Sequence, residues 1–483
     1  MLFNSYTFLL IFLPLVLVGW WSIRGQMWRL GFITLMSYAF YSFHEFPTGL
    51  FLLPILLTST TTDYVAARAI FKSDNERTRK LWLTGALAIN IGLLCWFKYQ
   101  GMFAQLINFV STPIGGGTDL EVRDLVLPLG ISFYTFNSMS YTIDVYWRRV
   151  EPAKNFIHYS AFVSLFPHLL AGPIVRYRDM DTQFRRLQPR MTSRMVLVGM
   201  FFIICGMFKK VVVSDEIVGP VSQLWIASGD LGVIQAWAAT VGFYLQLYFD
   251  YSGYADMAVG LALLLGFKFP QIFNSPFKST NPSDFWKRWN ATLTRWAIDY
   301  IFIPLGGTRG SMLATFRNIL IVTTLMSLWH GALWTFMLSG LLFGIAAIVY
   351  RLLKYKGWIL ANKWAGRVAM VCMVTTFFSL PRSRSVETSL EMLKSMYGFN
   401  GLGLDHIARK ATTAGTVEFL FLAELAALLG FVMLAPNTWD IVKNWDLETA
   451  IRRRWSVALA LGVMAATSFL LLARPTPFLY FQF

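Results

Sequence analysis

Apolar runs of about 20 residues recur along nearly the whole chain, and they leave it few ways to fold. Hydrocarbon about 30 Å thick offers no water to backbone polar groups, so each run has to satisfy its own as a helix. No soluble domain of useful size fits between the runs. Charged residues make up 14% of the 483 positions, against about 25% in soluble domains, so the class is all-α, a polytopic membrane protein. The 42 Lys and Arg outnumber the 26 Asp and Glu, giving a net charge of +16. In a soluble protein that excess would suggest nucleic acid. Here it sits in short loops, the pattern of cytoplasmic loops, which attract anionic lipid or a phosphate-bearing donor. Cys95, Cys205 and Cys372 each stand alone in apolar sequence, so neither a disulfide framework nor a metal-ligand set follows from them.

The first four runs are Phe8 to Trp21, Leu30 to Phe43, Leu50 to Ala67 and Leu81 to Phe97. The start lacks a basic leader and a small-residue cleavage site, so it is expected to stay as the first membrane segment. Arg24 and Arg29 follow the first run and KSDNERTRK follows the third, which places both loops in the cytoplasm. HEFPTG and STPIGGGTDLEVRD then face outward, as does the N-terminus. The fifth run, Leu127 to Trp147, is studded with Ser, Thr and Asn and carries Asp144, so it is expected to line protein rather than lipid. In the next, NFIHYSAFVSLFPHLLAGPIVRYRDM, arginines flank both ends and Pro167, Gly172 and Pro173 interrupt the middle, which predicts a re-entrant segment. Runs at Met195 to Met207 and Val233 to Tyr248 lead into QLYFDYSGYADMAVG, where Asp250 and Asp256 are expected to face an interior or wet space. Further spans lie near Leu341 to Tyr350, Val368 to Leu380, Val417 to Leu434 and Val457 to Leu472. The count is about eleven spans plus one or two re-entrant pieces. No fixed-period repeat or paired interrupted helices argue for a transporter.

The stretch from Asn281 to Phe336 concentrates the chemistry. At about 100° per residue, a continuous helix would gather Asp284, Arg288, Arg295 and Asp299 within roughly 60° and put Trp286, Asn290, Leu293 and Ala297 opposite them. Asn290 is then a buried amide on the apolar face. Past a glycine-rich turn, Thr323, Ser327, His330 and Trp334 share a face of an apolar run, and a histidine at that depth is a candidate functional group.

LPLGISFYTFNSMSYTIDVYW, FPHLLAGPIVR, YFDYSGYADMAVG, NPSDFWKRWN, DYIFIPLGG, LWHGALWTF and the terminal FLYFQF, taken together and in order, resemble the membrane-bound O-acyltransferase family. The likeness runs from about residue 127 to 483 and is strongest to the bacterial polysaccharide O-acetyltransferase branch. It implies a single membrane-embedded domain over residues 1–483, with helices and re-entrant segments around a central tunnel. It also implies acyl transfer to a hydroxyl, with His330 as the catalytic histidine and Asn290 facing it from the RW-x block. Bacterial members usually resemble RWH there, and this chain carries Asn. The implied donor is acetyl-CoA or another acyl thioester, with no bound cofactor or metal. The implied partners are membrane lipid, a polysaccharide acceptor and a periplasmic acetyltransferase, at the bacterial inner membrane; nucleic acid is not among them.

The residues themselves suit that chemistry. Attack of a hydroxyl on a thioester needs a base poised near neutrality, which imidazole supplies. No serine or cysteine stands beside an evident base, which favours direct transfer over an acyl-enzyme. Two readings stand for Asn290, an amide for the acyl oxygen or a helix-to-helix hydrogen bond. Ser327, Thr323, Trp329, Trp334, Asp250 and Asp256 are tunnel candidates, the carboxylates with an alternative role in fixing backbone. Lys287, Arg288 and Arg295 are candidates for docking donor phosphates, against the plainer reading of an ion-paired, solvated face. The tryptophans have an alternative role as packing and interface anchors. The rival functions are a transporter for an acyl or glycan intermediate and, among enzymes, a D-alanyl transferase to teichoic acid.

Overall fold

The computed structural model describes residues 2–44, 46–111, 125–358, 362–402, 413–444, 454–473 and 478–479. Among them all regular structure is helical. The loop at STPIGGGTDLEVRD, His406 and most of the terminal FLYFQF lie outside the described residues. Among the described residues seven helices are long and apolar enough to cross a membrane: Thr48–Lys72, Glu76–Ser111, Ser193–Ile226, Met312–His330, Trp334–Tyr355, Lys363–Arg382 and Phe419–Asn444. Phe8–Ser22 and Trp455–Leu471 are shorter apolar helices. Part of the difference from about eleven spans has a physical cause in the helix Ile131–Tyr146, whose 16 residues include seven buried polar ones from Ser132 to Asp144. That helix is packed in protein, as its composition predicts.

The chain divides into two compact units. One holds Met1–Met207, Tyr254–Pro270 and Leu447–Pro475; the other holds Phe208–Gly253, Gln271–Asp446 and Thr476–Phe483. The helix Val233–Leu264 contributes to both, changing unit after Gly253.

In the first unit a sealed polar network ties three helices together. Asn90 donates to the Asp63 carboxylate at 2.7 Å and Ser59 donates to Asn90 at 2.6 Å, while the Thr142 hydroxyl donates to the other Asp63 oxygen. All four side chains are fully buried. The segment expected to be re-entrant breaks into the short helices Phe156–Ser164 and Phe166–Leu169. His168 is buried there and fully engaged, with Nε2 at 2.9 Å from the Phe162 carbonyl and Nδ1 at 3.3 Å from Asn137. Gly172 then passes so close to the His168 backbone that a Cβ would collide with it.

In the second unit Met312–His330 lies against Trp334–Tyr355 at two glycines. A Cβ at Gly340 would stand 2.7 Å from the Ser327 Cβ, and one at Gly344 would stand 2.5 Å from the Thr323 Oγ1. Small residues four apart let two membrane helices approach this closely. Ser327 locks the contact by donating to the Phe336 carbonyl at 2.6 Å.

The sequence expectation of one continuous helix through Asn290 fails. The stretch from Pro282 is two short helices, Pro282–Arg288 and Ala291–Ala297, rather than one. Trp289 is extended and Asn290 is left-handed at φ +40°. The break is made by tertiary pairing: Asn274 N–H donates to the Arg288 carbonyl at 2.9 Å and Ala291 N–H to the Ile272 carbonyl at 2.8 Å. Asparagine tolerates the left-handed region better than most residues. The charged stripe is therefore cut in two, with Asp284 and Arg288 paired at 2.8 Å on the first piece.

Candidate active site

Three of the residues singled out around the histidine meet at one cavity, built wholly within the second unit. The Met312–His330 helix supplies Thr323, Ser327 and His330, one turn apart or nearly so, and all three line a space of about 60 Å³. His330 is the last residue of its helix, at the junction with extended Gly331. Trp329, 2% exposed, sets its ring edge-on to the imidazole at 4.9 Å and is not part of the wall. Ser339 completes the small polar side.

The rest of the wall is apolar and mostly aromatic: Phe243, Leu247, Trp286, Trp289, Phe336, Phe343, Phe378 and Pro381, with Tyr251 as the phenol among them. Ring contacts hold these groups in place. Trp286 meets Phe343 at 5.1 Å, Phe378 meets Trp289 at 5.2 Å and Phe343 at 5.6 Å, and Phe285 stacks on Trp289 at 5.8 Å. An apolar wall lowers the local polarity, which strengthens hydrogen bonds and charge effects at the few polar groups that remain. A site of this kind suits an acyl group next to a base.

The structure sorts the remaining candidates. Asn290, 1% exposed, is not on the wall; its Nδ2 donates to the Tyr251 hydroxyl at 3.5 Å, and its Oδ1 accepts from Thr292 at 3.5 Å. Trp334 is half-buried at the start of its helix and also off the wall. Asp250 is not a wall residue either: it pairs with Lys210 at 2.7 Å and accepts the Leu479 N–H at 3.0 Å. Asp256 is buried in the first unit, whereas every wall residue belongs to the second. Lys287 and Arg295 are exposed, and Arg288 is tied to Asp284 and to the Asn274 carbonyl.

Two features were missed by sequence reasoning. Lys210 is 2% exposed and bridges Asp215 and Asp250, each at 2.7 Å. Its signal was available, as a lysine inside the apolar stretch Ser193–Ile226, a position that asks for a partner. The phenol of Tyr251 stood inside a quoted block, but a tyrosine in apolar sequence has no pattern that separates packing from a site.

Comparison with known proteins places these residues in a family. The segment 152–386, which contains Tyr251, Asn290 and His330, matches the model of the membrane-bound O-acyltransferase family. A peptidoglycan O-acetyltransferase of Helicobacter pylori is 32% identical over 482 residues, covering 91% of this chain and 87% of its own. A probable alginate O-acetylase of Azotobacter vinelandii is 32% identical, covering 88% and 83%. A teichoic acid D-alanyltransferase of Bacillus subtilis is 26% identical, covering 52% and 66%. Relatedness along nearly the full length of both acetyl-transferring proteins, together with a histidine on the wall of an aromatic cavity between membrane-type helices, makes this chain a member of the membrane-bound O-acyltransferase family and an O-acyltransferase.

Proposed function

We propose that the protein transfers an acetyl group from a cytoplasmic thioester to a hydroxyl of an extracytoplasmic glycan, or to a periplasmic acetyltransferase that hands it on. The observation that carries this reading is His330 on the wall of a largely apolar cavity, inside the segment matched to an acyltransferase family. In the reaction the acceptor oxygen bonds to the thioester carbonyl carbon while His330 takes the hydroxyl proton. The tetrahedral intermediate collapses by breaking the C–S bond, and the imidazolium returns its proton to the departing thiolate. A base so placed contributes about 10²–10⁴-fold.

Acetyl-CoA fits the donor role, because a charged thioester stays on the cytoplasmic side while the glycan lies outside. Lys287 and Arg295 are the exposed cations suited to its phosphates, and Arg288 is committed to Asp284. The inner membrane of a bacterium is the setting in which donor and acceptor are separated in this way. Acetyl rather than D-alanyl transfer is favoured by where the likeness extends: 87% and 83% of the two acetyl-transferring relatives are covered, against 66% of the D-alanyltransferase.

The test is alkali-labile acetate ester on the surface glycan of a cell lacking the gene, complemented with wild type or His330→Ala at matched membrane abundance. Wild type is expected to restore ester and His330→Ala to fall short by about 10²–10⁴-fold. Full restoration by His330→Ala removes the assignment.

A further inference from the structure

We infer that Tyr251 is a further catalytic residue, a phenol that donates a hydrogen bond to the acyl carbonyl oxygen, and that Asn290 is the positioning residue that aims it. This rests on the acyl-transfer reading above and deepens it.

The order of the groups carries the argument. Tyr251 lines the cavity with His330, and Asn290 does not. The Asn290 amide is linked to the cavity wall through the Tyr251 hydroxyl, to which Nδ2 donates at 3.5 Å. A phenol whose oxygen accepts keeps its own hydrogen for donation. Accepting from an amide also polarises that O–H and strengthens what it gives. Catalytic hydrogen bonds are often long until substrate tightens them, and the 3.5 Å distance fits that role.

The ring is held as a preorganised donor has to be. Phe273 meets it edge-on at 5.0 Å and Phe478 at 6.5 Å. One residue earlier in the same helix, Asp250 is fixed by Lys210 at 2.7 Å and by the Leu479 N–H at 3.0 Å. On the other side Asn290 has little freedom: its backbone is left-handed at φ +40° and its Oδ1 accepts from Thr292. Two buried polar side chains from separate elements, Tyr251 and Asn290, thus meet at the phenol hydroxyl of a wall residue.

The chemistry follows from charge. As the acceptor oxygen attacks, negative charge grows on the carbonyl oxygen, and a fixed donor in an apolar site stabilises that charge more than the neutral carbonyl. No bond to Tyr251 forms or breaks; its hydrogen stays on the phenol throughout. His330 handles the proton and Tyr251 the charge.

The experiment measures the initial rate of ester incorporation from labelled acetate in the complemented cell, for the full-length protein at matched abundance and thermal midpoint. The variants are Tyr251→Phe, Asn290→Gly, the pair together and His330→Ala. Asn290→Gly keeps the left-handed backbone and removes only the amide, so backbone strain does not enter. Removing one such donor is expected to slow the rate by about 10²-fold, for either single variant. The pair is expected to be no slower than Tyr251→Phe alone, because that variant already removes the hydroxyl through which Asn290 acts. Incorporation of 3-fluorotyrosine at Tyr251, which preserves packing and makes the phenol a stronger donor, is expected to change the rate while leaving the thermal midpoint in place.

Wild-type rates for Tyr251→Phe, or an unchanged rate with 3-fluorotyrosine, overturn the catalytic assignment. A double variant slowed by the product of the two singles overturns the positioning role of Asn290. A wild-type rate for His330→Ala removes the acyl-transfer site itself, whereas an inactive His330→Ala beside a fully active Tyr251→Phe removes only the inference made here.

Discussion

Two polar centres of this protein sit in apolar surroundings and differ in how their groups are spent. Around Asp63 in the first unit, every side chain is turned to another: carboxylate to amide and hydroxyl, amide to a second hydroxyl, all fully buried. Around His330 in the second unit, the side chains line a cavity instead: the Thr323, Ser327 and Ser339 hydroxyls are bonded to backbone carbonyls, His330 and Tyr251 stand on the wall, and the aromatic rings around them are packed on one another. Buried polar groups that satisfy one another act as glue between helices. Groups that point into an apolar space are placed for a ligand. An ionisable residue inside the membrane therefore signals function only together with what it faces, since Asp63 and His330 look alike in sequence.

Exchanging the roles of the two centres is the strongest way to break this contrast. His330→Ala is expected to remove about 10²–10⁴-fold of the ester rate while the thermal midpoint of the solubilised protein stays near wild type. A large fall in that midpoint with little change in rate per folded molecule would put His330 in the class of Asp63.

Lys210 sharpens the contrast from within the second unit, where it is the cation between two carboxylates. Lys210→Met is expected to destabilise the protein by about 3–5 kcal/mol, the usual result of removing one member of a buried ion pair. Chemical or thermal unfolding in detergent reads this, and adding Asp250→Asn should recover part of the loss. An unchanged midpoint would mean that the pair holds nothing together.

The converse of the histidine experiment is Asp63→Ala. It leaves the Asn90 amide and the Thr142 hydroxyl without their acceptor and is expected to cost about 1–3 kcal/mol, seen as a lower midpoint. Ester formed per folded molecule should stay at the wild-type rate. A fall in that rate at matched abundance would show that the sealed network takes part in turnover.

The smallest effect belongs to the pair on the half-exposed face. Arg288→Ala breaks the 2.8 Å bridge to Asp284, and an i,i+4 pair of this exposure stabilises by about 0.3–0.5 kcal/mol. Lys287→Ala and Arg295→Ala are the better probes of donor docking. Each is expected to raise the thioester concentration needed for half-maximal ester formation without moving the midpoint.

Much of this was legible from residues alone. The broken segment around His168 and the protein-packed helix Ile131–Tyr146 follow from local pattern, and the structure bears them out; of the four residues expected on one face, Thr323, Ser327 and His330 line the cavity, whereas Trp334 begins the next helix and does not. The continuous helix through Asn290 does not survive: the amide is buried, as its place on the apolar face predicts, but it sits on a left-handed turn between two short helices. Helical periodicity assumes an unbroken helix. Nothing in KRWNATLTR announces that Ile272 and Asn274 take over its backbone hydrogen bonds. Asp250 and Asp256 were placed together because they are neighbours in sequence, yet they fall in different units, the first of them neutralised by a lysine 40 positions earlier.

Membrane architecture and family were determined by the sequence itself, because hydropathy is local and hydrocarbon forces each apolar run to satisfy its own backbone. Only the tertiary structure decided which polar groups face the cavity and which face each other. That choice depends on contacts between elements far apart in the chain: two glycines that bring Thr323 and Ser327 into place, a pairing that turns Asn290 left-handed, and a phenol standing between that amide and the space where the chemistry is proposed.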